Sequence, residues 1–174
     1  MPTPCVRAAP PVPYAGHIIA AMSGETFDHL LAHLPHHPPM RLVEHVVEVI
    51  PGRLARATRI AHPDDWYFDG HFPSNPVVPA IALVELLAQT GGLAIAPAED
   101  SGLSALRLAS LNDFKFPSAA RPGVLLQATA EIVGRLGGLF KITGTVTADG
   151  TVVATGNLTL ADLGPQQSAA PQSR

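Results

Sequence analysis

Apolar positions along this chain follow a helical spacing first and strand spacings later, with one nearly unbroken apolar run between them. Phe27, Leu30, Leu31 and Leu34 lie three, one and three residues apart, which lays one stripe along a short helix that Ser23 or Thr26 can cap. LPHHPP breaks it. Arg41 to Ile50 is valine-rich and roughly alternating, Pro51-Gly52 reads as a turn, and Arg53 to Ala61 alternates again, so the pattern predicts a hairpin. HPDDWYFDGHFPSNPVVP has no period and reads as a structured loop. From Pro79, a tolerated first-turn proline, AIALVELLAQTGGLAIA predicts a helix of about four turns that Pro97 stops. A helix apolar all round must be buried all round.

Leu103 to Phe116, Val124 to Gly134, Leu139 to Ala148 and Thr151 to Ala161 then read as strands. They are separated by Arg121-Pro122-Gly123, Gly137-Gly138 and Asp149-Gly150, the last a strong two-residue hairpin signal. Strands that follow one another after a single helix do not suit a parallel βαβ repeat. They predict an α+β fold, an antiparallel sheet wrapped around one central helix. The folded domain is expected over residues 24–163, between a flexible N-terminal extension (1–23) and a flexible C-terminal tail (164–174), both rich in Pro, Ala, Ser or Gln; Met22 offers an alternative start.

Composition narrows the function classes. With 47% hydrophobic and 14% charged residues the chain is lean in surface charge, so another subunit is expected to cover part of it. A net charge of -3 provides no basic field for nucleic acid. Cys5 is the single cysteine, which leaves neither a disulfide framework nor a thiolate metal site and agrees with a reducing, cytoplasmic setting. Residues 79–98 approach the length of a membrane span, but Glu85, Gln89, Gly91 and Gly92 mark them as a core helix. The absence of G-x-S-x-G, P-loop and GxGxxG patterns removes support for serine hydrolases, nucleotide hydrolases and dehydrogenases.

The chemistry begins with an anomaly of charge. No Lys or Arg stands between Ile60 and Leu106, yet Glu85 sits in the middle of the helix that must be buried. A buried carboxylate must hold its proton, find hydrogen-bond donors or pair with a residue brought from elsewhere. The plainer alternative is that Glu85 faces an interface or solvent on a narrow stripe with Gln89, one turn later. His71, fourteen residues earlier in the loop that feeds the helix, changes the balance. An imidazole can take a proton and a protonated acid can give one, which is the pairing that elimination of water beside a carbonyl requires. The amides of Ala80 and Ile81 at the helix N-terminus are candidate donors to the enolate-like oxygen; Pro79 has none. Asp65 and Asp69 read as solvated loop carboxylates, and Trp66, Tyr67, Phe68 and Phe72 as a hydrophobic cover. His33, His36 and His37 lack the partners of a recognised metal site, so no metal and no cofactor is expected.

FDGHFPSNPVVPAIALVELLAQTGG strongly resembles the active-site segment of the FabZ family, the 3-hydroxyacyl-acyl carrier protein dehydratases. The likeness extends upstream through LPHHPPMRLVEHVVEV and downstream through FKFPSAARPG, covering about Phe27 to Ala161. It implies a hotdog fold, acyl carrier protein as partner, and a homodimer or a trimer of such dimers whose sites each take His and Glu from opposite subunits. It implies further that His71 is the base, that Glu85 of the partner chain holds or protonates the leaving water, and that the Ala80 amide binds the thioester carbonyl. Phe72, Pro79 and Gln89 would lie along the acyl tunnel. Arg107, Lys115, Arg121, Arg135 and Lys141 are the cations of the C-terminal half that could meet an acidic carrier. Departures are Ala80 for the family's Gly, Ser74-Asn75 for Gly-Lys, and FKFP for FKRP. Two other readings belong to the same fold: a dehydratase of a specialised aryl polyene, pigment or polyketide pathway, and an acyl thioesterase.

Overall fold

The computed structural model describes residues 27–95 and 106–163. A 3-10 turn at Asp28–His33 leads to β1 (His45–Ile50), β2 (Leu54–Ile60), α1 (Ala80–Ile95), β3 (Leu106–Lys115), β4 (Leu125–Leu136), β5 (Leu139–Ala148) and β6 (Thr151–Asp162). The strands form one six-stranded sheet in the order β1-β2-β4-β5-β6-β3, antiparallel at every pairing.

The first element is a 3-10 turn with no side-chain cap, not the capped helix that its stripe predicts; Ser23 and Thr26 lie outside the described residues. β1 begins at His45, not Arg41, because the amides of Leu42 and Val43 donate to the Gln89 side chain instead of to a neighbouring strand. β4 runs two residues past Gly134, through a bulge between Ile132 and Gly134, and pairs Leu136 with Leu139 across the Gly137-Gly138 turn. Residues 103–105 and Pro97 lie outside the described residues.

α1 runs through Gly91 and Gly92 to Ile95 and is buried along most of its length. Leu83, Leu86, Leu87 and Leu93 are each at most 3% exposed, and a leucine so placed contributes about 2 kcal/mol by leaving water. Close packing explains one glycine. A Cβ on Gly144 of β5 would stand 2.5 Å from Leu87 Cδ1 and 2.7 Å from the Thr129 carbonyl oxygen, so the sheet can touch the helix only where the side chain is missing. Full burial fails at both ends of the helix and at one site within it; Ile95 at the C-terminus is only partly buried. Ala80 and Ile81 are exposed at the N-terminus, Ile81 at 72%, and Glu85 is partly open.

The two sheet edges differ. β1 is backed by the 3-10 turn, with Phe27 N donating to Val46 O and the Val46 amide to Asp28 Oδ1. β3 is an edge whose residues are almost all exposed, including Leu108 at 42% and Leu111 at 47%.

Candidate active site

The loop between β2 and α1 is fixed by a buried charge. Arg59, buried in β2, lies 2.6 Å from both carboxylate oxygens of Asp65, and the Tyr67 hydroxyl donates to Asp65 Oδ2 at 2.6 Å. Glu44 Oε2 accepts from Ile60 N, while its Oε1 lies 2.8 Å from His62 Nε2. Burial, reinforced by the bond to Asp65, pushes the Tyr67 phenol well above its ordinary range, so it remains a donor. Asp65 is therefore a structural anchor and not a solvated carboxylate. The aromatic cover also divides: Tyr67 and Phe68 belong to the core, whereas Trp66 and Phe72 are exposed.

Beyond this anchor the chain folds back on itself at His71. Val77 N donates to His71 O, and His71 Nδ1 stands 3.0 Å from Val77 O. A carbonyl can only accept, so Nδ1 is the donor, and in the neutral ring the lone pair stands on Nε2. The Phe72 ring stacks on the imidazole at 4.2 Å. Val78 N donates to Ala120 O, which ties the end of the loop to the segment before β4. The amides of Ala82 and Leu83 donate to the Pro79 carbonyl, so those of Ala80 and Ile81 are the donors that the first turn leaves without an intrahelical acceptor.

Glu85 lies more than one turn further in, beside a cavity of about 60 Å³ walled by Pro35, His36, Gln89, Leu106, Leu108 and Leu160 among others. The helix carboxylate has found a donor. Gln89 Nε2 donates to Glu85 Oε1 at 2.9 Å and to Met40 O, while its Oε1 accepts from Leu42 and Val43. Gln89 thus lines the cavity, as the tunnel reading expects, but its amide is spent within the chain. His36 Nε2 lies 3.3 Å from Glu85 Oε1. This neighbour escapes a reading of the sequence for metal ligands, although its place in the LPH motif offers the signal. His71, Phe72 and Pro79 are not among the walls of the Glu85 cavity.

The five cations are not brought together. Strand register puts Arg107, Arg135 and Lys141 toward the end of the sheet where Leu106 pairs with Asp162 and Leu136 with Leu139, and Lys115 nearer its middle. Arg121 alone reaches the histidine loop, donating to Asn75 Oδ1 at 2.8 Å. Among the described residues no group of three or more His, Cys, Asp or Glu side chains could hold a metal, and no helix is long and apolar enough to cross a membrane.

An antiparallel sheet packed on one helix is the hotdog architecture. Residues 34–157 match the FabA-like domain, and the chain belongs to that family. Within it, the chain is a FabZ-like member. It is similar to the 3-hydroxyacyl-[acyl-carrier-protein] dehydratase FabZ of Caldicellulosiruptor bescii, at 32% identity over 77% of this chain and 96% of that one. The FabZ proteins of Ligilactobacillus salivarius (38% identity, 72% and 90% covered) and Bacillus subtilis (33%, 74% and 91%) are similar too. Among solved structures, the dehydratase heterocomplex ApeI:P from Xenorhabdus doucetiae shares the fold with a TM-score of 0.63 at 22% identity, covering 79% of this chain and 91% of that one. A hypothetical thioesterase from Streptococcus pneumoniae solved with coenzyme A shares it at 0.51 and 14% identity, covering 70% and 86%, so the fold alone does not choose the reaction.

Proposed function

We propose that each active site joins His71 of one chain to Glu85 of a second copy. The chain is a 3-hydroxyacyl-[acyl-carrier-protein] dehydratase of fatty acid biosynthesis. His71 Nε2 removes the α-proton beside the thioester carbonyl, whose developing negative charge is met by the Ala80 amide, with Ile81 beside it. Electrons from the C–H bond form the α,β double bond as the β C–O bond breaks. Glu85 gives its proton to the departing hydroxyl, and water leaves. Imidazolium and carboxylate then exchange protons with solvent, so the net change is hydroxyacyl to enoyl plus water.

The observation that carries the cross-subunit reading is the wall of the Glu85 cavity. Leu106 and Leu108 of the exposed edge strand form part of it, while His71 does not. A second copy adding its own β3 to this edge would satisfy the free strand backbone, cover Leu108 and Leu111, and bring a second histidine loop toward the open side of the cavity. The homodimer is thus the smallest complete unit. Phe72 and Pro79 would join Gln89 along the acyl path only in that assembly. Arg121, beside the histidine loop, is the best placed of the five cations to meet an acidic carrier. A cytoplasmic setting completes this reading.

Hydration of a crotonyl thioester, or dehydration of its 3-hydroxybutyryl partner, tests the chemistry spectrophotometrically. Wild type should turn over, and His71→Ala and Glu85→Gln should each lower kcat by about 10²-fold to 10⁴-fold, the usual worth of a positioned acid or base. Thioester hydrolysis by the wild type with no hydration would contradict the assignment.

A further inference from the structure

We propose that His36 is a positioning residue for Glu85, and that with Gln89 it selects which carboxyl oxygen delivers the proton. The inference rests on the reading of Glu85 as the acid. Two nitrogens from different parts of the chain address the same oxygen: Gln89 Nε2 at 2.9 Å and His36 Nε2 at 3.3 Å, both on Oε1. A protonated carboxyl has one donor and one acceptor oxygen. With Gln89 donating to Oε1 and His36 Nε2 set beside the same oxygen, the proton is assigned to Oε2, the oxygen left for the substrate hydroxyl.

Geometry also selects the His36 tautomer. Its Nδ1 is buried with no hydrogen-bond partner. A proton on Nε2 places an N–H within 3.3 Å of Glu85 Oε1 and leaves only a lone pair at Nδ1. The other tautomer would set a lone pair against the carboxyl oxygen and bury an unmatched N–H, which is the costlier arrangement. The remaining cavity walls on the helix, β3 and β6 are Ala88, Gly92, Leu106, Leu108 and Leu160, so among the described residues no other titratable group faces Glu85 across it. The rest of the wall is Leu34 and Pro35, adjacent to His36.

Gln89 is a poor probe, because its amide also holds the backbone at Met40, Leu42 and Val43. His36 is a cleaner one. His36→Phe keeps a ring and removes the donor, His36→Gln can return an N–H near the Nε2 position, and His36→Asn places its amide near Nδ1 instead. His36→Phe should lower kcat for crotonyl-thioester hydration by roughly 10-fold to 100-fold, the scale of a misplaced catalytic group, with KM changed less than about twofold. His36→Gln should recover most of the loss and His36→Asn should not. In a Glu85→Gln background, His36→Phe should cost nothing further. If the Phe variant does not fold, the Gln and Asn pair decides alone.

A wild-type kcat in His36→Phe, an effect confined to KM, or equal impairment of the Gln and Asn variants would overturn the inference. Loss of activity in Glu85→Gln alongside an unaffected His36→Phe removes only the role of His36. Wild-type activity in Glu85→Gln removes the acid reading and this inference together.

Discussion

His71 and Glu85 serve one helix, yet the chain holds them in opposite ways. His71 is fixed from behind by a single backbone carbonyl, and the loop that carries it is anchored by charge, through Arg59, Asp65 and Tyr67. Glu85 is fixed by packing, on a helix whose leucines are buried and whose carboxyl is met by two side chains. Each half is complete on the side that faces its own chain. The histidine spends Nδ1 on its own loop, and the glutamate lines a cavity that reaches the edge strand. On the proposal above, a second copy supplies what each lacks.

The sharpest way to break this contrast is to cut the charge anchor and leave the helix alone. Asp65→Ala leaves Arg59 buried with its main partner gone, and loss of about 3 kcal/mol of stability is expected from breaking a buried pair. A lower urea midpoint measures it, and an unchanged midpoint would show that the loop does not depend on the pair.

The helix side should respond to packing instead. Gly144→Ala pushes a methyl group against Leu87 and a strand carbonyl, and should cost about 2 kcal/mol as an overpacked site. Gly91→Ala is the control. Its methyl would stand 2.7 Å from Ile142 Cδ1, the movable end of a side chain, and about 1 kcal/mol of regained helix propensity offsets the repacking. A near-neutral Gly91→Ala beside a destabilised Gly144→Ala, compared by urea midpoint, would place the constraint at the sheet backbone.

Much of this was legible in the residues. The apolar run of α1, the hairpin signals and the consecutive strands after the helix sufficed to outline the helix and an antiparallel sheet, because these signals are local, while His71 and Glu85 stand in one motif. The supports were not. Gln89 binds backbone 46 and 47 residues away, and Arg59 takes Asp65, which composition marks as an ordinary solvated carboxylate. His36 reads as one of three clustered histidines until folding sets it against Glu85. Such pairings depend on the path of the chain in space. Residue spacing along it cannot supply them.

The central claim, that a site is shared between two chains, has a direct test in a heterodimer of one His71→Ala chain and one Glu85→Gln chain, co-expressed with different tags and purified through both. Opposite-subunit sites leave one of the two intact, so the heterodimer should show roughly half the wild-type rate per dimer while each parent homodimer is inactive. A heterodimer as inactive as its parents would mean that His71 and Glu85 of the same chain work together, and would contradict the account.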